Sequence, residues 1–122
     1  MRVEALVSGE SDVVGPDTTL GDAAEVLIAR SIGALAVVDG RRFVGIVTDR
    51  DVVRAVSEGA DMEDPVSEWM TDGPDTVSPD VSVSEAADWL LETGYRHLPV
   101  VVGEELLGIV DIRDVLWTLR KN

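Results

Sequence analysis

Two short segments carry the side chains best suited to chemistry in this chain. Gly45-Ile46-Val47-Thr48-Asp49-Arg50-Asp51 closes an apolar run, and Thr48 and Asp51 fall one turn apart where a helix is expected to start. A free helix N-terminus offers unpaired amide donors and partial positive charge, which suits a phosphate. The Thr48 hydroxyl adds a donor there, and an ionised Asp51 accepts from both hydroxyls of a cis-diol. The same two residues also form a capping pair that needs no ligand, and spacing alone favours that ligand-free use. Gly108-Ile109-Val110-Asp111-Ile112-Arg113-Asp114 repeats the pattern, with a carboxylate, Asp111, where the first segment has a hydroxyl. Asp111 also suits a plain helix N-cap. Elsewhere Arg96 and His97 stand side by side. Arginine is a fixed cationic fork matched to phosphate oxygens, and histidine donates when charged, a form that a nearby phosphate favours. A surface salt bridge and a satisfied core histidine are the alternatives for this pair.

The elements that must position these groups come from an internal repeat. At an offset of 63 residues, Val3–Val56 lies over Val66–Leu119 without a gap, and 18 of the 54 pairs are identical. Residues 1–58 read as repeat 1, 59–65 as an acidic connector and 66–122 as repeat 2. Thr19-Leu20-Gly21-Asp22 and Ser82-Val83-Ser84-Glu85 are capping-box starts, with a hydroxyl at the N-cap and an acid three residues on. Apolar residues then recur at helical spacing, as Leu20, Ala23, Ala24, Leu27 and Ile28, and again as Val83, Ala86, Ala87, Leu90 and Leu91. Two apolar strands follow in each repeat (Leu35–Val38 and Phe43–Val47; Leu98–Val102 and Leu106–Val110), with a closing helix after them. Both strands are apolar throughout, so burial under helices is expected. With the extended piece before each Pro, the chain reads strand, helix, strand, strand, helix, twice. The expected class is α/β of the α+β kind, with the halves packed face to face about a pseudo-twofold axis.

The composition narrows the partners. Twenty-four Asp and Glu stand against 10 Lys and Arg, a net charge of −14, and the one Lys is Lys121. Duplex DNA and RNA need clustered cations, and anionic lipid repels such a surface, so neither nucleic acid nor a membrane is expected as partner. No run is long enough to span a bilayer and no signal segment follows Met1; the chain reads as soluble and cytoplasmic. Without cysteine and with one histidine there is no zinc or His-rich metal site to expect. The acidity accompanies 45% hydrophobic residues, so it is not the signature of disorder. It fits a surface kept soluble in strong salt, where the Debye length is about 3 Å at 1 M, and suggests a salt-loving source.

The stretches Ile32-Gly33-Ala34-Leu35-Ala36-Val37-Val38-Asp39, Phe43–Asp51, Thr76-Val77-Ser78-Pro79-Asp80 and Arg96-His97-Leu98-Pro99-Val100-Val101 resemble tandem cystathionine β-synthase (CBS) domains, the pair called a Bateman module. The resemblance runs from about Val3 to Leu119, which points to a stand-alone pair with no catalytic, channel or DNA-binding domain. It implies a regulatory module binding an adenosine-type ligand (AMP, ADP, ATP, S-adenosylmethionine or NAD) in clefts between the repeats, with no other cofactor required. Each cleft takes the Gly-x-x-Thr/Ser-x-x-Asp segment of one repeat and the first-strand region of the other. Cleft A would then combine Thr48 and Asp51 with Thr76, Val77, Ser78, Pro79, Tyr95, Arg96, His97 and Pro99. Val77 and Ser78 would offer backbone groups to the adenine edge.

Cleft B would combine Asp111 and Asp114 with Val14, Gly15, Pro16, Gly33 and Ala34. Here Asp111 replaces the hydroxyl, and Gly33 and Ala34 replace Arg96 and His97. Two like charges at 4 Å repel by about 4 kcal/mol at an effective dielectric near 20, so cleft B is expected to refuse a phosphorylated ligand and to stand empty or take an uncharged adenosine or a cationic ligand. One nucleotide per chain follows.

Three tryptophans break the repeat. Trp69 over Leu6 and Trp89 over Val26 read as core packing, whereas Trp117 over Arg54 reads as an outer position. With Val115, Leu116 and Leu119 it suggests an apolar end helix that seeks a partner. A homodimer through such helices is expected, as is an unidentified regulated protein. The competing readings are a ligand-free dimerisation scaffold and an enzyme. The second lacks a Ser-His-Asp spacing, a glycine-rich phosphate loop, a cysteine and a candidate buried lysine.

Overall fold

The computed structural model describes residues 1–7 and 12–121, except for the side chain of Lys121. It divides into two compact units, Asp12–Pro74 and Met1–Ser11 with Asp75–Asn122. The units do not follow the repeat boundaries, because each takes in the opening segment of the other repeat.

In the unit Asp12–Pro74, helix α1 (Leu20–Arg30) precedes the hairpin β2 (Ala34–Asp39) and β3 (Arg42–Thr48), and α2 (Asp49–Ser57) follows. Thr19 caps α1 by accepting from the Asp22 amide at 3.1 Å. Strand β1 (Val13–Val14) runs parallel to β2, and β4 (Thr71–Asp72) pairs antiparallel with β3, giving a four-stranded sheet in the order β1-β2-β3-β4. Leu20, Ala23, Leu27, Leu35, Val37, Val47, Ala55 and Val66 form the core. Val66 opens a short 3-10 helix, Val66–Glu68, and its amide donates to the Thr18 carbonyl at 2.8 Å.

The other unit repeats the plan. Helix α3 (Val83–Thr93) is followed by the hairpin β5 (His97–Val102) and β6 (Glu105–Asp111), then by α4 (Ile112–Lys121). Ser82 accepts from the Glu85 amide at 3.0 Å. The extended piece before Pro79 reduces to one parallel bridge, Val77 to Val100. Val3, Val83, Ala86, Ala87, Leu90, Leu98, Val100, Val110 and Val115 form this core. Val3 belongs to the 3-10 helix Val3–Leu6, bound to this unit by Val3 N–H to the Val81 carbonyl at 2.8 Å. Val3 and Val66 are equivalent in the repeat and both wholly buried; each burial contributes about 2 kcal/mol.

The hairpins correspond residue by residue. Gly40 and Gly103, one repeat apart, take φ +64° and +60° at the two hairpin turns, the left-handed region that glycine enters at least cost. The bulge in the strand register falls between Val37 and Val38 and between Val100 and Val101. Burial is less complete than the apolar sequences suggest: Leu107 on β6 is 42% exposed. Val115 is fully buried and so does not belong to an outer apolar face, because it fills a core position in the first turn of α4 (Ile112–Lys121). Trp117 is 58% exposed, whereas Trp69 and Trp89 pack against their units' cores. The Arg54 guanidinium lies 5.2 Å from the Trp69 ring centroid, a cation–π contact.

Candidate functional site

Thr48 and Asp51 sit at the start of α2 because β3 runs directly into that helix. They form a full capping box: the Asp51 amide donates to Thr48 Oγ1 at 3.2 Å, and the Thr48 amide donates to Asp51 Oδ2 at 2.9 Å. Asp51 Oδ1 lies 3.7 Å from Arg54. The hydroxyl accepts from the backbone and keeps its proton for donation. Ala34 stands opposite Thr48 in the β2–β3 register, and the Asp49 amide donates to the Gly33 carbonyl at 3.0 Å. Val14 ends β1, and the Gly15 amide donates to the Thr18 hydroxyl at 3.2 Å, turning the chain at Pro16.

The second unit holds the cationic residues. Val77 adds to the edge of β5, its amide donating to the Pro99 carbonyl at 3.0 Å and its carbonyl accepting from Val101 at 2.9 Å. Thr76 and Ser78 flank it, both exposed. The Ser78 hydroxyl donates to Asp80 and holds that carboxyl below its ordinary value. Pro99 is buried, while Tyr95 is half exposed with its ring 5.4 Å from Trp89. Arg96 is exposed and makes no ion pair among the described residues; its carbonyl accepts from the Ile112 amide at 2.8 Å.

Asp111 departs from the expectation of a bare carboxylate. It stands opposite His97 in the β5–β6 register, with Oδ2 3.7 Å from His97 Nε2. Arg113 wraps back onto it: Nε to Oδ1 and Nη2 to Oδ2 are each 3.2 Å, and the Arg113 amide donates to Oδ1 at 2.7 Å. Burial works to raise the Asp111 carboxyl, but the Arg113 hydrogen bonds and the charges of Arg113 and His97 outweigh it and hold it below its ordinary value. Arg113 is raised in turn, first by its side-chain hydrogen bond to Asp111. The repulsion expected of a lone carboxylate is therefore largely compensated at Asp111. Sequence reasoning missed Arg113, although an Arg two residues after an acid at a helix start is the available signal. Asp114 is exposed on the first turn of α4.

Within a unit, then, Thr48 adjoins Ala34, and Asp111 adjoins His97. The grouping of residues from different repeats into clefts A and B is what the family resemblance implies. Among the described residues no group of acids or histidine is arranged to hold a metal ion, and no helix is long and apolar enough to cross a membrane.

Comparison with known proteins places these features in context. The family model for the CBS domain matches twice, over residues 3–58 and 66–121. A 17.7 kDa protein encoded in the bps2 3′ region of Acidianus ambivalens is 38% identical over 120 residues, covering 97% of this chain and 73% of that one. Among solved structures, the CBS domain protein PAE2072 from Pyrobaculum aerophilum, complexed with AMP, superposes with a TM-score of 0.87 at 26% identity, covering all of both chains. CBSX2 in complex with AMP gives a TM-score of 0.85 at 29% identity, over 98% of this chain and 96% of that one.

Proposed function

We propose, for a chain that belongs to the CBS-domain family and carries two of its domains in tandem, that it is a regulatory module binding an adenine nucleotide, AMP foremost, and relaying its presence to a partner protein. Two relatives of the same fold are complexed with AMP. The observation in this chain that carries the reading is Arg96, an exposed guanidinium engaged by no carboxylate among the described residues of a strongly acidic protein. Beside it, His97 is held by Asp111 at the start of β5. In this reading Arg96 and His97 meet the phosphate, Asp51 takes the ribose hydroxyls, Thr48 adds a donor, and the backbone of Val77 and Ser78 faces the adenine. Tyr95, Thr76, Pro79 and Pro99 shape that end. The second set (Val14, Gly15, Pro16, Gly33, Ala34, Asp111 and Asp114) lacks a cation matching Arg96 and is left without a nucleotide.

A homodimer is part of the proposal. Val53 and Val56 on α2 and Leu116 and Leu119 on α4 are equivalent in the repeat and all exposed, at 68%, 59%, 53% and 39%. The acidic surface suits work in a salt-rich cytoplasm. A ligand-free dimerisation scaffold is the second reading, favoured by the way Thr48 and Asp51 satisfy each other. A thermal-shift screen in molar salt with AMP, ADP, ATP, NAD and S-adenosylmethionine separates the two. A ligand at 100 times its dissociation constant stabilises by about 2.7 kcal/mol; no shift with any of the five supports the scaffold.

A further inference from the structure

The opening segment of the chain is bonded to the turn that carries the proposed adenine-facing residues. The Glu4 amide donates to the Pro79 carbonyl at 3.2 Å and the Val3 amide to the Val81 carbonyl at 2.8 Å. The Val83 amide donates to the Met1 carbonyl at 2.9 Å, and Arg2 bridges antiparallel to Ser82. The turn is closed from inside by Val81 N–H to the Ser78 carbonyl at 3.3 Å and by the Ser78 hydroxyl on Asp80, and the charge of Arg2 acts on Asp80 in the same direction. Val3 anchors the segment, wholly buried in the core that also holds Val83 and Val100, while Val77 packs against that core.

We infer that residues 1–6 are a positioning element for the nucleotide: they hold the Ser78–Val81 turn, and through it Val77 and Ser78, in the shape that receives the ligand. The inference rests on the proposed nucleotide reading and adds a regulatory consequence. Docking of the N-terminal segment and binding of the nucleotide strengthen each other by the same factor, because linkage is reciprocal. Anything that draws residues 1–6 away from this unit weakens nucleotide binding, and bound nucleotide secures the segment. The segment comes from repeat 1 and the turn from repeat 2, so this contact is one through which a partner protein would read occupancy.

The repeat supplies its own control. Val66 is the counterpart of Val3, is equally buried, and anchors the other unit. Val3→Ala and Val66→Ala therefore remove the same atoms from equivalent cores, and only the first loosens the Ser78–Val81 turn. Amide hydrogen exchange on the full-length ligand-free chain should show the Val81 amide exchanging at least fivefold faster in Val3→Ala than in Val66→Ala. Calorimetric titration with AMP should show affinity falling about fivefold to tenfold in Val3→Ala, staying near wild type in Val66→Ala, and recovering in Val3→Ile. Couplings of this size are usual between linked sites. In the wild type, AMP should slow exchange at the Val3 and Glu4 amides. Equal Val81 exchange in the two Ala variants overturns the clamp. Wild-type binding with equal affinities in both variants overturns the coupling alone, whereas a wild type that takes up no AMP overturns the nucleotide reading and the coupling with it.

Discussion

Substitutions at Thr48 separate its structural use from its proposed ligand use. Thr48→Ala removes the acceptor for the Asp51 amide and leaves Asp51 reaching back to residue 48 alone, so half of the box is lost. Loss of an N-cap side chain costs about 1 kcal/mol. The half-buried setting of both residues places this site in the middle of that range, equivalent to a Tm lower by roughly 4 °C for a domain of this size. Thr48→Asp keeps an acceptor at the N-cap, where Asp ranks at least as high as Thr and suits the helix dipole. Its stability should stay within about 0.5 kcal/mol of wild type, the slight loss reflecting Asp49 and Asp51 nearby. It also places a carboxylate where repeat 2 has Asp111, with Arg50, the repeat equivalent of Arg113, positioned to offset part of its charge. A carboxylate about 4 Å from a phosphate repels it by roughly 4 kcal/mol at an effective dielectric near 20, and screening in molar salt reduces this. A loss of AMP affinity of at least thirtyfold, about 2 kcal/mol, is therefore expected from Thr48→Asp, and Thr48→Ser should match wild type in both respects. Urea denaturation followed by tryptophan emission reads the stability, and calorimetry reads the affinity. Wild-type affinity in Thr48→Asp, or wild-type stability in Thr48→Ala, refutes the reasoning.

Three further outcomes follow from the geometry. Gly45→Ala should destabilise by about 1–3 kcal/mol in urea denaturation, because a Cβ there would lie 2.6 Å from Met70 Sδ and 2.8 Å from the Thr71 carbonyl oxygen. Met70→Ala in the same chain should relieve only the sulfur contact and leave most of the loss, since the Thr71 carbonyl belongs to the backbone of β4. Asp111, held below its ordinary value, contributes stability that is present above its unfolded pKa near 3.9 and is lost as pH falls through the lower folded value. Asp111→Asn should thus be less stable than wild type by up to about 1 kcal/mol at pH 6, with the gap narrowing as pH falls below the unfolded value near 3.9 in pH-dependent denaturation. Light scattering in molar salt should give twice the 13.1 kDa chain mass, and Leu116→Glu should return it to the monomer.

Much of the fold was legible because the repeat states it twice. The caps at Thr19 and Ser82, the hairpin turns at Gly40 and Gly103 and the two closing helices depend on residues close in sequence, and local spacing reports local contacts. The exchange of opening segments was not legible. Val3 reads as an apolar residue in either unit, and nothing nearby in sequence says that its amide will meet Val81. The candidate site divides along the same line. The Thr48–Asp51 pairing is a local motif and emerged as a capping box. The Asp111–His97 contact depends on the β5–β6 register, and the Arg113 fork depends on where a flexible side chain settles; the repeat alignment reduced both to a single unpaired acid.

Calorimetric titration of AMP into the 122-residue chain in molar salt tests most directly whether one nucleotide per chain is held by the cationic start of β5. A stoichiometry of one per chain is expected, with affinity lowered at least tenfold, about 1.4 kcal/mol, by Arg96→Ala. Two equal sites per chain, or an affinity that Arg96→Ala leaves unchanged, would contradict it.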